Sequence, residues 1–288
     1  MINENSFIKL IECPRDAMQG WSHFIPTIQK IKYINSLLKI GFDTIDFGSF
    51  VSAKAIPQMA DTVEVLESLE VDINQSKLLA IVANERGAAQ ACEFNKINYL
   101  GFPFSVSPTF QKRNTNSSIE ESFNRVKNIQ DLCGKKNKQL VIYISMGFGN
   151  IYDDVYNSDI VLRWVDEMVK IGVKTISIAD TVGVATPFQI SSLLNSIIPL
   201  YPATEIGVHL HSTPLDWEAK ISAALQAGCI RFDGALKGIG GCPMAGNDLV
   251  GNMDTELMIP YFNDLNLLNS FNKEALQYSS ILANEIFV

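Results

Sequence analysis

Short runs of β-branched and other apolar residues alternate with longer amphipathic stretches along the chain. The short runs fall at 8–12, 44–47, 78–82, 99–102, 140–145, 175–178, 206–210 and 231–233. Each is of strand length, and the stretches between them carry helical periodicity. Eight such βα units in series predict an α/β fold, a closed parallel (β/α)8 barrel. Local signals mark the helix ends. Ser118-Ile119-Glu120-Glu121 is a capping box, in which the serine hydroxyl accepts from a free N–H and Glu121 reaches back. Thr186-Pro187 places an N-cap before a proline at the first helical position, and Ser158-Asp159 opens another helix. Gly41 and Gly172 stand where helices stop before the next strand. The stretch from about 270 to 287 reads as an extra helix packed on the barrel. No linker, repeat or low-complexity tract interrupts the pattern, so 1–288 reads as one domain. The barrel spans about 7–260, and a C-terminal helical extension about 261–288. The rival architecture, an open doubly wound sheet, calls for a glycine-rich turn after the first strand. Here that strand runs into Cys13-Pro14-Arg15-Asp16.

Composition narrows the partners. The chain has 288 residues, 47% of them hydrophobic, enough for a large core. A net charge of −8 argues against a nucleic-acid partner, which needs a basic surface. No segment approaches the roughly 20 apolar residues of a membrane span, and the first residues do not read as a signal peptide. Cys13, Cys92, Cys133, Cys229 and Cys242 are scattered and odd in number, which does not make a disulfide framework. A reducing cytoplasm is the inference.

The chemistry of a barrel sits at the C-terminal ends of its strands. Arg15 and Asp16 follow the first strand, Asp46 lies in the second, and Asp180 closes the sixth. His209 and His211 close the seventh, and a loop from Gly238 to Asn252 follows the eighth. Strand alternation points both imidazoles the same way. They read either as half of a metal site, with Asp16 supplying a carboxylate, or as hydrogen-bonding groups in a polar rim. Asp46 lies between Ile45 and Phe47, so burial demands a partner such as Arg15. Asp180 either serves the site or caps the turn Asp180-Thr181-Val182-Gly183. Cys242, in a glycine-rich loop, is either a proton-transfer thiol or an inert one. Cys13 and Cys229 read as core residues, and His23 as a surface residue.

Several segments resemble the hydroxymethylglutaryl-CoA lyase family, within the wider group of metal-dependent TIM-barrel lyases, aldolases and synthases. Pro14-Arg15-Asp16-Ala17-Met18-Gln19 is similar to the family's P-R-D-G-L-Q. Ser49-Phe50-Val51-Ser52-Ala53-Lys54 with Pro57-Gln58-Met59 is similar to S-F-V-S-P-K and P-Q-M. Ser118 to Phe123, Asp180 to Gly183, His209-Leu210-His211, Gly238 to Pro243 and Gly251-Asn252 match further motifs in order. The resemblance implies a carbon–carbon lyase that cleaves 3-hydroxy-3-methylglutaryl-CoA and works as a homodimer. It implies Mg²⁺ or Mn²⁺ on Asp16, His209, His211 and Asn252. Arg15 and Gln19 would contact the substrate. Arg15, Cys242, His209, Asp46 and Asp180 would serve catalysis. Three departures bear on substrate fit: Asp46 stands where the family has glutamate, Ser212 where it has aspartate, and Gly20-Trp21-Ser22 where it has a polar stretch. A lyase or aldolase for another acyl-CoA or 2-oxo acid is the nearest alternative. A non-catalytic acyl-CoA-binding barrel is the alternative from another class.

Overall fold

The computed structural model describes residues 7–72, 76–241, 250–269 and 271–288. Eight parallel strands close into a barrel. They are β1 (Lys9–Glu12), β2 (Thr44–Ser49), β3 (Lys77–Ile81), β4 (Ile97–Ser105), β5 (Gln139–Ser145), β6 (Thr175–Ala179), β7 (Glu205–His209) and β9 (Arg231–Gly234). Closure joins the first to the last, with Lys9 opposite Arg231 and Glu12 opposite Gly234. A small antiparallel pair, β8 (His211–Ser212) and β10 (Gly251–Asn252), sits beside the barrel and sets His211 opposite Asn252.

The expected strands are all present, with two informative differences in extent. The fourth was expected to stop at Phe102, before a proline. It continues to Ser105, with Pro103 opposite Tyr143, because β5 supplies a long ladder on which one missing donor is tolerated. The seventh was expected to carry both histidines. It ends at His209, and His211 begins the separate β8, because its backbone pairs with Asn252 instead of continuing the barrel.

The helical layer begins with α1 (Pro14–Gln19), α2 (Thr27–Leu37), α3 (Thr62–Glu67) and α4 (Glu85–Cys92). It continues with α5 (Pro108–Thr115), α6 (Ile119–Lys135), α7 (Ser158–Lys170) and α8 (Pro187–Ile197). α9 (Trp217–Gln226), α10 (Thr255–Asp264) and α11 (Lys273–Ile286) complete it. The capping boxes at Ser118 and Thr186 form as expected. α7 opens at Ser158 as expected, and Asn157 caps it, accepting from Ile160 N–H at 2.9 Å. Gly41 and Gly172 adopt positive φ, the conformation a terminating glycine supplies. α11 is the expected extra helix. It docks on α2, where Ser279 bonds Ser36 at 2.7 Å and Phe287 packs edge-on to Trp21 and Tyr33.

Alternation along the strands divides the buried residues into two sets. Leu78, Ala80, Ile142, Ile144, Ile176, Ile178 and Phe232 face outward into the core under the helices. Leu79, Ile81, Tyr99, Val141 and Tyr143 form a separate cluster in the barrel interior. Arg231 and Asp233 share that interior, and Arg231 fits only because its neighbour on β7 is Gly207. A Cβ there would stand 2.7 Å from the arginine Cδ.

Glu12 faces outward from β1 and is fully buried. Its carboxylate accepts from Leu236 N–H at 2.8 Å and Thr255 Oγ1 at 2.7 Å, tying β1 to the segment that follows β9 and to α10. Burial pushes this carboxyl up to about 8, against the pull of those two hydrogen bonds. Folding therefore takes up a proton between the ordinary carboxylate range and about pH 8. The associated stability is present below that range and is lost as pH rises through about 8. Thermal unfolding should show the wild-type midpoint falling relative to that of Glu12→Gln as pH is raised through this window. Parallel curves would contradict the assignment.

Candidate active site

β1 ends at Glu12, and Cys13-Pro14 turn the chain directly into α1, with proline at its first position. Arg15 and Asp16 are thereby held at the barrel mouth. Arg15 is 8% exposed and Asp46 only 1%. The guanidinium donates from Nε to Asp46 Oδ2 at 3.0 Å, from Nη2 to the same oxygen, and from Nη1 to Asp16 Oδ1 at 2.9 Å. Burial works against the arginine charge, but the two carboxylates hold its pKa above the ordinary value. Burial pushes Asp46 up to about 6, with Arg15 pulling against it, so the pair is ionic at neutral pH.

Asp16 is held by three side chains. Besides Arg15, Gln19 Nε2 donates to Oδ1 at 2.7 Å and Asn252 Nδ2 to Oδ2 at 2.8 Å. His209 stands across from it at the end of β7, and the His209 and His211 ring centres are 5.3 Å apart. Asp16, His209 and His211 each offer a ligand atom, and these atoms lie within 4.8 Å of one another. Two further atoms bear on what the cluster can hold. His211 Nε2 and Asn252 Oδ1 are buried without a hydrogen-bond partner. Orphaned acceptors of this kind are costly unless something fills their coordination. Two imidazoles, a carboxylate and an amide oxygen form a donor set that fits a divalent cation.

The charge states of His211 and Asp16 agree with that fit. Burial pulls His211 down to about 4, helped by the neighbouring His209, so its imidazole is neutral, as a ligand must be. Burial raises the Asp16 carboxyl less than Arg15 and the histidines lower it, and its pKa lies below the ordinary value. His209 shifts upward: burial opposes its charge, but a hydrogen bond from Nδ1 to Asp233 Oδ2 at 3.3 Å prevails. That bond commits Nδ1 and leaves Nε2 for the cavity.

The cluster borders a cavity of about 420 Å³, within the range of small-molecule sites. Arg15, Asp16, Gln19, His209 and His211 line it, with Tyr143, Thr181 and Phe110. Asp46 and Asp180 are not among the lining residues. Asp46 stands behind Arg15. Asp180 accepts from Ala185 N–H at 3.0 Å and pairs with Lys220 at 3.2 Å, which makes it the brace of its own turn. Asn252 reaches Asp16 from β10, and Cys242 lies outside the described residues. Gly240, at φ +100°, lets the loop press on α1. A Cβ there would meet Asn252 Nδ2 at 2.7 Å and the Asp16 carbonyl at 2.9 Å. His23 is exposed, and Cys13 and Cys229 are buried, as expected. The sequence reading missed Asp233 and Lys220. Asp233 could have been found as a charged residue between apolar positions of the last strand.

The chain matches the HMGL-like family over residues 8–281. It is 32% identical to hydroxymethylglutaryl-CoA lyase YngG of Bacillus subtilis, covering 91% of this chain and 87% of that one. It is 33% identical to the human cytoplasmic 3-hydroxy-3-methylglutaryl-CoA lyase, over 92% of this chain and 71% of the other. The crystal structure of the Bacillus subtilis HMG-CoA lyase superposes with a TM-score of 0.91 at 30% identity, covering 99% of this chain and 95% of that one. An Acinetobacter baumannii HMG-CoA lyase in complex with coenzyme A and 3-methylmalate gives 0.91 at 29% identity, covering 100% and 93%. Barrel, mouth cluster and relatives together define a carbon–carbon lyase. The chain belongs to the HMGL-like family. No helix among the described residues is long and apolar enough to cross a membrane, and the relatives include cytoplasmic and mitochondrial enzymes.

Removing the Asp46 charge leaves the buried guanidinium short of its bidentate partner. Asp46→Asn should lower the unfolding free energy by about 2–3 kcal/mol in urea titrations. An unchanged midpoint would mean that the pair does not anchor Arg15.

Proposed function

We propose that this enzyme cleaves 3-hydroxy-3-methylglutaryl-CoA to acetyl-CoA and acetoacetate. The observation that carries the reading is the meeting of Arg15 with Asp16, His209, His211 and Asn252 at one cavity. These are the positions at which the chain resembles hydroxymethylglutaryl-CoA lyases. Asp16, His209, His211 and Asn252 would hold Mg²⁺ or Mn²⁺, which supplies Lewis-acid polarisation of substrate oxygens.

The chain's own groups perform the rest. The tertiary hydroxyl gives its proton to the Asp16 carboxylate, since His209, with Nδ1 on Asp233 and Nε2 on the cation, has no free nitrogen to act as a base. The carbon–carbon bond then breaks. Its electron pair remains on the thioester fragment as an enolate, while the hydroxyl carbon becomes the ketone of acetoacetate. Arg15 offers a fixed positive charge to that enolate without having to reorganise, because Asp46 holds the guanidinium from behind. Cys242 returns one proton to the carbon and completes the balance. Asp46 acts through Arg15, and Asp180 acts through the turn that carries Thr181.

A lyase for another acyl-CoA is the second reading, favoured by Asp46 and Ser212. Asp46 is one methylene shorter than glutamate, which changes how Arg15 is held from behind. A panel of acyl-CoA thioesters separates the two.

Acetoacetate release should require divalent metal, stop with EDTA and return with Mn²⁺ or Mg²⁺. Metal-independent turnover would remove the cluster from the reaction. Arg15→Lys keeps a charge but loses the planar fork. It should reduce kcat/KM by at least about 10²-fold, and near-normal turnover would sink the role given to Arg15.

A further inference from the structure

Lys220 lies behind the cluster, on α9, with its side chain 2% exposed. Its ammonium meets four oxygens. The carbonyl of His211 is 2.8 Å away, Asp180 Oδ2 3.2 Å, the carbonyl of Gly183 3.3 Å and Asp216 Oδ2 3.3 Å. An ammonium has three hydrogens, so this cage satisfies it fully.

The oxygens belong to segments that together hold one imidazole. The first is the backbone of His211 itself. The second is the turn from Asp180 to Gly183, whose Thr181 lines the same cavity as the His211 ring. The third is the segment just after β8. There Asp216 accepts from Thr213 N–H at 2.6 Å and Thr213 Oγ1 at 2.8 Å while also pairing with Lys220. Lys220 thus ties the main chain of His211 to the turn that carries Thr181. Antiparallel pairing to Asn252 holds the other side of β8. With both sides of its backbone held, His211 presents its buried, unpartnered Nε2 from a fixed main chain.

We propose that Lys220 is a positioning residue of the metal centre, which sets the direction of the His211 imidazole without touching substrate. This rests on the reading of the mouth cluster as a metal site. A side chain buried only to satisfy charge would affect folding and leave the ligand geometry alone, so metal affinity distinguishes the two roles.

The test is titration with Mn²⁺ alone, following free Mn²⁺ by electron paramagnetic resonance, on the wild type, Lys220→Met and Asp180→Asn. Unfolding midpoints are measured beside it. Lys220→Met removes the cage while keeping the length of the side chain. Asp180→Asn retains an acceptor for Ala185 N–H and alters the group facing Lys220, so it reports even where Lys220→Met does not fold. Each folded variant should bind Mn²⁺ about 10-fold or more weakly than the wild type. Lys220→Arg, which restores the charge, should recover part of the loss. Variants with lowered midpoints but wild-type Mn²⁺ affinity would overturn the proposal and leave Lys220 as a structural ion pair. A wild type that takes up no Mn²⁺ would overturn the metal reading itself, and the proposal with it.

Discussion

A guanidinium cannot shed its charge, so burying Arg15 at the barrel mouth obliges carboxylates to come with it. Two do, and they face different ways. Asp46 takes the rear of the fork, while Asp16 takes one edge and presents its remaining capacity to the cavity. The rest of the site follows from that arrangement. Asp16 is held by Arg15, Gln19 and Asn252, so its carboxylate is fixed in place by the chain itself. Arg15 is likewise held at the cavity by the two carboxylates, and the proposed stabilisation of an enolate rests on that fixed charge.

Barrel closure converts this local constraint into a site. Asp16 comes from the first βα unit, His209 from the end of β7, and Asn252 from a short strand beyond β9. These groups meet because β1 pairs with β9, which carries the two ends of the sequence to adjacent positions. Glu12 reinforces the seam from outside through Leu236 and Thr255. Asp233 serves it from inside by holding His209. The glycines of the loop let the backbone lie against Asp16 and Asn252, where any Cβ at Gly240 would collide.

Much of this was legible in the chain itself. The alternation of apolar runs and amphipathic stretches located all eight strands, because a parallel barrel buries each strand on both faces and leaves unbroken apolar runs. Arg15-Asp16 and His209-Leu210-His211 stood out because polar groups at strand ends are conspicuous against such runs. What escaped the reading depends on distant partners. Lys220 went unmarked, since nothing local reveals that Asp180, Gly183 and His211 converge on it. Asp46 and Asp180 suggested chemistry as acidic residues at strand ends. In the fold each is paired with a buried cation, Asp46 with Arg15 and Asp180 with Lys220. The break between β7 and β8 was hidden because it arises from Asn252, more than forty residues downstream of His209.

The central claim is that Asp16, His209, His211 and Asn252 are the ligands of one divalent cation. A crystal structure of the protein grown with Mn²⁺, with data collected at the manganese absorption edge, tests it most directly. The account predicts one strong anomalous peak bonded to Asp16, His209 Nε2, His211 Nε2 and Asn252 Oδ1. A manganese ion bound elsewhere, with His211 Nε2 and Asn252 Oδ1 turned to other partners, would contradict it.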